Sequence, residues 1–417
     1  MKRILLSILL ILVLVPAGAI LWLISSPSYT DPWPVDEKLN SFYKETYEDS
    51  RAEFRKTCEE LKAKIPGTTA SVLKVESRVS DDLTIDTCLV PSGGAGKPGS
   101  IPNSARLLIV TSGVHGGEGF ASSAVQRMFM TDLLAQRNDR PETLLVHAIN
   151  AYGMKYFRRV TENNVDLNRN FDVNPSMFSV KNPGYTEVNA LLNPSTKADL
   201  SSFMHRFFAL RAIIEIASKG MGPLRQAILQ GQYEIPDGIY FGGKNFEQQK
   251  IVLEPIFKRA SAGKSLVVTV DLHTGYGERG TAHLFPNTPP NNEVRELTEK
   301  LFKGYRIDWP GGDFYSTYGD FSAYIGLIQE KSVKYVPMVF EYGVLDSQTT
   351  KGSLVSIHRV ILENQAIHYG CASEEDCAKI KADFREAYYP ASPSWRSKVM
   401  RDSKELFTNT LDRMNDL

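Results

Sequence analysis

The sequence lacks most of the features that would assign it to a class at once. Neither sign of charge is in excess: 48 Lys and Arg stand against 48 Asp and Glu. A zero balance provides no global field for nucleic acid. No repeat at a solenoid or propeller period and no long low-complexity tract occurs. Cysteine is limited to four residues, none in a Cys-x-x-Cys step, so no redox or Cys-zinc motif is present. A phosphate loop is missing too, because Gly263-Lys264-Ser265 has Lys258 where the upstream glycine belongs. Gly275-Tyr276-Gly277-Glu278-Arg279-Gly280 spells a dinucleotide fingerprint, but no helical pattern follows it directly.

Length and composition are those of a globular chain with a substantial core. The N-terminus differs. Lys2 and Arg3 precede residues 4–24, a run with no charge. About 20 apolar residues span a bilayer core, and positive flanks stay in the cytoplasm. The expectation is a membrane anchor or signal sequence over 1–26, a Ser/Pro-rich linker over 27–38, and one catalytic domain over 39–417. The catalytic domain then faces the periplasm; it is periplasmic or secreted if Ala17-Gly18-Ala19 is a cleavage site. In that compartment an even cysteine count implies two disulfides. Three pairings are open, and the local pairs Cys58–Cys88 and Cys371–Cys377 are preferred.

Helical spacing covers 39–64, with Phe42, Tyr43, Tyr47, Phe54 and Leu61 on one face. Residues 71–90 alternate as strands do. Short apolar runs at 107–110, 144–149 and 266–272 read as buried strands. Helical stretches cover 121–136, 195–218, 246–260 and 392–414. Strands alternating with helices predict an α/β domain, a mostly parallel central mixed sheet flanked by helices.

The chemistry gathers at strand ends. His115 and Glu118 form a His-x-x-Glu step after the first buried run. His273 closes a later run, and Glu341 closes Tyr335-Val336-Pro337-Met338-Val339-Phe340. In open α/β sheets ligands collect beyond the carboxyl ends of strands. Two imidazoles and a carboxylate suit a zinc ion with an open fourth position, and a further carboxylate suits the base. Asp271, two residues before His273, points to the same side by alternation and is placed to orient a ligand imidazole. Gly113, Gly116, Gly117 and Gly119 allow close backbone approach or a tight turn. The other histidines, His147, His205, His283, His358 and His368, have no ligand-like neighbours in sequence.

The ordered set resembles the M14 zinc carboxypeptidase superfamily, and within it the bacterial DUF2817 branch. It comprises His115-x-x-Glu118, Val165-Asp166-Leu167-Asn168-Arg169-Asn170-Phe171, Asp271-Leu272-His273-Thr274-Gly275 and Glu341. The resemblance runs from about Leu107 to Asp346. It implies one Zn2+ per chain held by His115, Glu118 and His273, with Glu341 as general base and acid. It also implies Asn168 and Arg169 at a substrate carboxylate, and Arg159, or its neighbour Arg158, on the scissile carbonyl. The substrate would be a peptide or an acyl-amino acid with a free carboxylate. An amino-acid deacylase or cell-wall peptide amidase on the same site is the alternative, and a non-catalytic zinc-containing binding domain the reading from another class. The tyrosine that covers substrate in digestive members has no clear counterpart; Tyr315, Tyr318 and Tyr324 are candidates.

Overall fold

The computed structural model describes residues 29–94, 96–97, 99–286, 291–309 and 317–417. The uncharged run at 4–24 lies outside the described residues, and among those described no helix is long and apolar enough to cross a membrane.

The strands are β1 Thr69–Lys74, β2 Thr84–Val90, β3 Arg106–Ser112, β4 Glu142–His147, β5 Leu266–Gly275, β6 Ala282–Phe285 and β7 Lys334–Gly343. They form one seven-stranded sheet in the order β1-β2-β4-β3-β5-β7-β6. The central strands β4, β3, β5 and β7 are parallel, whereas β1, β2 and β6 join at the edges through antiparallel pairs. This is the expected α/β architecture. Every residue of β3 and β5 is buried, which matches their unbroken apolar runs and the helices covering both faces. Edge strand β1 is largely exposed.

Two predicted segments are cut by local chemistry. The helical pattern at 39–64 divides into Glu37–Asn40 and Tyr47–Lys64, because Thr46 is extended and caps the second helix at Asp49 N–H. The alternating stretch at 71–90 is the β1–β2 hairpin, joined by a nine-residue loop. Helices Thr350–Tyr369 and Glu374–Tyr388 and the short strand β6 had no assignment from sequence. Residues 29–38, the described part of the expected linker, are docked. Asp31 makes a two-pronged ion pair with Arg279, and the Asp36 N–H donates to Ser397 on the C-terminal helix Pro393–Asp416.

Both local disulfides form. Cys58–Cys88 ties the helix Tyr47–Lys64 to β2, and Cys371–Cys377 closes a short loop before the helix Glu374–Tyr388. The first bond joins residues 30 apart. Replacing Cys58 and Cys88 together by Ala is expected to lower unfolding free energy by about 2–4 kcal/mol, read from urea denaturation. An unchanged urea midpoint would show that the bond constrains little of the unfolded chain.

Candidate metal centre and active-site cleft

The site is built where parallel strands end. β3 closes at Ser112, Gly113 turns the chain with φ +71°, and His115 follows. A short turn Gly116–Glu118 leads into the helix Gly119–Met128. A Cβ on Gly116 would run into the backbone of Gly153. The glycines therefore serve as the close approach that the sequence allowed. Gly116 and Gly117 N–H donate to the carbonyls of Arg159 and Arg158 at 3.2 and 2.9 Å, fastening that loop to the one carrying the arginines. On the neighbouring strands, His273 of β5 lies directly opposite Glu341 of β7. Register alone sends both side chains to one face.

Glu118 is the hub. Its Oε1 lies 2.8 Å from His115 Nδ1 and its Oε2 lies 2.8 Å from His273 Nδ1. Ligand atoms of these three buried residues all fall within 4.8 Å of one another. The outer nitrogens are held as well. His115 Nε2 is 3.1 Å from Asp166 Oδ1, and His273 Nε2 is 2.7 Å from Asp271 Oδ2. Every acceptor around the rings is a carboxylate: Asp166 and Asp271 hold the Nε2 protons, and a cation bound at the cluster would take the two Nδ1 atoms as its lone-pair donors. With the Nδ1 protons displaced, two lone pairs and a carboxylate share one small space, a set of donors that fits a divalent cation; without the cation, positive charge on an imidazole takes its place. Burial opposes ionised His273, but Asp271 and Glu118 outweigh it and push that imidazole well above its usual value. Burial likewise opposes ionised Glu118, yet His115 and His273 hold it below the usual carboxylate range.

Asp271 meets His273 with one oxygen, and Thr111, its register partner on β3, donates to the other, Oδ1, at 2.6 Å. Asp166 is the residue that sequence reasoning missed; it stood in the motif at 165–171 without a role. It is fully buried, receives His115, accepts from Asn168 N–H at 3.0 Å, and takes Arg159 Nε at 2.9 Å. Its place two residues before Asn168 was the available signal.

Glu341 accepts from Tyr276 N–H at 2.9 Å and faces the cluster without joining it. Burial first, and the Glu118 charge second, push its carboxyl up to about 8. A cation among the imidazoles would pull it down again. The dinucleotide-like glycine run is thus the turn that holds Glu341.

The two arginines separate. Arg159 reaches Glu118 at 3.5 Å and stands over the Tyr240 ring at 5.2 Å. Arg158 is buried elsewhere, against Glu363 at 2.8 Å, and is not the surface pair that two adjacent arginines permit. Phe157, in a left-handed conformation (φ 54°), ends the helix Ala151–Tyr156 just before the two arginines.

A cleft opens on this cluster and takes in Arg159, Asn168, Arg169 and Glu341. Asn168 Oδ1 accepts from Phe321 N–H at 2.9 Å, and the Arg169 guanidinium donates to the carbonyls of Leu229 and Asn168. Of the tyrosine candidates, Tyr324 is buried with its hydroxyl on Glu254, Tyr318 is exposed and does not line the cleft, and Tyr315 lies outside the described residues. Tyr240, Tyr276 and Tyr388 line it instead.

The family model described as "Protein of unknown function (DUF2817)" matches residues 43–402. No curated protein sequence matches the chain. Among solved structures, the chain is similar to carboxypeptidase A from Helicoverpa armigera, with 13% identity, 83% of this chain and 74% of that chain covered, and a TM-score of 0.40. It is also similar to thrombin-activatable fibrinolysis inhibitor, at 12% identity, 84% and 82% coverage and TM-score 0.42. For murein-tripeptide amidase MpaA from Escherichia coli O157 the values are 15%, 73% and 95%, and 0.34.

Asp166 and Asp271 give a direct check. Replacing either by Ala is expected to weaken binding of a divalent cation about 10–100-fold, measured by competition with a chromophoric chelator. Unaltered affinity in both variants would remove these carboxylates from the metal-site argument.

Proposed function

The chain belongs to the DUF2817 family, and from that premise we propose that it is a zinc-dependent, carboxypeptidase-like hydrolase cleaving an amide bond next to a free carboxylate. The observation that carries this reading is the convergence of both Nδ1 atoms on Glu118, with Glu341 facing them from the adjacent strand.

His115, Glu118 and His273 would hold the ion. A zinc ion bound there supplies Lewis acidity, bringing the pKa of water towards ~7. The chain's own groups do the rest. Glu341, held by Tyr276 N–H, receives a proton from the attacking water and returns it to the leaving nitrogen. Arg159 is fixed by Asp166 and offers its remaining N–H groups to the carbonyl oxygen as charge develops there. The Asn168 side-chain amide and the uncommitted N–H groups of Arg169 receive the substrate carboxylate. Burial of the whole cluster keeps these interactions strong by excluding bulk water.

The proposed location follows from sequence alone. Lys2 and Arg3 before residues 4–24 would leave the catalytic domain outside the cytoplasm, anchored or released. A periplasm-only reporter fused to the C-terminus is expected to be active; activity of a cytoplasm-only reporter there refutes the export reading.

The metal assignment predicts about one zinc per chain by elemental analysis. His115→Ala or His273→Ala should lose both metal and hydrolysis. Glu341→Gln should retain the metal and lose about 10²-fold or more in kcat. Normal turnover by Glu341→Gln would mean that another group is the base. Arg169→Ala should weaken substrates with a free carboxylate by about tenfold or more relative to their amidated counterparts. Equal losses on both would leave Arg169 only its structural bonds to Leu229 and Asn168.

A further inference from the structure

The helix Met221–Leu229 is amphipathic but only partly covered. With 3.6 residues per turn, Leu224, Arg225, Ile228 and Leu229 fall on one face. All four line the cleft above the His115–Glu118–His273 cluster, and of them only Leu224 is buried. Ile216 from the preceding helix and Ile357 from the helix Thr350–Tyr369 extend the same apolar surface. Half-exposed apolar surface around a cleft is stabilised when an apolar ligand covers it. A peptide laid there would face its backbone N–H and C=O groups to methyl groups and lose their water without replacement.

Charge decides the other end of the ligand. Arg225 makes no ion pair among the described residues. Arg169 gives its guanidinium only to backbone carbonyls, one of them Leu229, which lies one helical turn beyond Arg225. Two guanidinium groups without a carboxylate partner in hydrogen-bond contact among the described residues therefore belong to one end of this roof.

Building on the amide-hydrolase reading, we propose that the roof helix selects an anionic amphiphile, an N-acyl amino acid with an extended alkyl chain. The chain packs on Ile216, Leu224, Ile228 and Ile357, and Arg225 shares the carboxylate with Arg169. In the reaction, water oxygen bonds to the acyl carbon and the C–N bond breaks. The nitrogen leaves with a proton, giving a fatty carboxylate and an amino acid.

The test uses zinc-loaded full-length protein and a glycine series from acetyl to dodecanoyl. kcat/KM is expected to rise about fourfold per methylene over the first several carbons. Ile228→Asp should reduce the dodecanoyl-to-acetyl ratio at least tenfold, a within-variant ratio that partial misfolding does not move. Arg225→Ala should raise KM for dodecanoyl-glycine about tenfold and leave that for its methyl amide little altered. Glu341→Gln protein, titrated by calorimetry, should bind dodecanoyl-glycine and not acetyl-glycine. Equal rates along the series, or faster cleavage of peptides with no effect of Ile228→Asp, overturns the proposal and leaves the hydrolase reading intact. Tight binding of dodecanoyl-glycine by Glu341→Gln with no turnover of any amide by the wild type would sink the hydrolase reading and leave the amphiphile site standing.

Discussion

The site depends on where two imidazole protons reside. Asp166 and Asp271 hold the outer nitrogens of His115 and His273, so both Nδ1 atoms face Glu118. Were either carboxylate lost, the ring could flip or change tautomer and the inward donor would vanish. The sheet makes this arrangement rigid. Thr111 and Asp271 are register partners on β3 and β5, and His273 and Glu341 are partners on β5 and β7. A slip of one residue in either pairing would turn a ligand, its orienting group or the base to the opposite face.

Buried charge is kept local by the same economy of placement. Asp166 meets an imidazole with one oxygen and Arg159 with the other. Arg159 also reaches Glu118, so one guanidinium moderates two buried carboxylates. Burial disfavours the charged form of Asp166, but Arg159 and His115 hold its carboxyl well below the usual range. Removing one member of such a cluster leaves its partner buried and unpaired, which costs more than the pair contributes.

The sequence disclosed the cluster better than its surroundings. His115, Glu118, His273 and Glu341 were legible because each follows an apolar run long enough to be a strand, and parallel strands deliver their ends to one edge. Asp271 was legible through alternation within β5. Asp166 was not, since its partners stand 51 and 7 residues away on a loop without periodicity. Arg158 and Arg159 looked equivalent in sequence; only their partners, Glu363 for one and Asp166 with Glu118 for the other, distinguish them. The helical pattern at 39–64 hid a break because its apolar spacing continues through residues that Thr46 caps as a new start. Residues 29–38 looked like a linker by composition, yet their polar groups meet Arg279 and Ser397 across more than 240 positions, a separation that composition does not encode.

The helix Met221–Leu229 shows the same limit in its most consequential form. Its stripe of Leu224, Ile228 and Leu229 has the spacing of a core-facing helix, and spacing cannot tell a core from a cleft. Arg225 within that stripe is the discordant residue, because a core face would leave its charge buried without a partner. Arg169 links this roof to the catalytic floor: its backbone follows Asn168 in the segment oriented by Asp166, while its guanidinium grips Leu229. The cluster is therefore placed by sheet register, whereas the helix above it is held by Arg169 at Leu229 and by Asn182 at Ala227. Changes on the exposed side of that helix would touch none of the hydrogen bonds that place His115, Glu118 and His273.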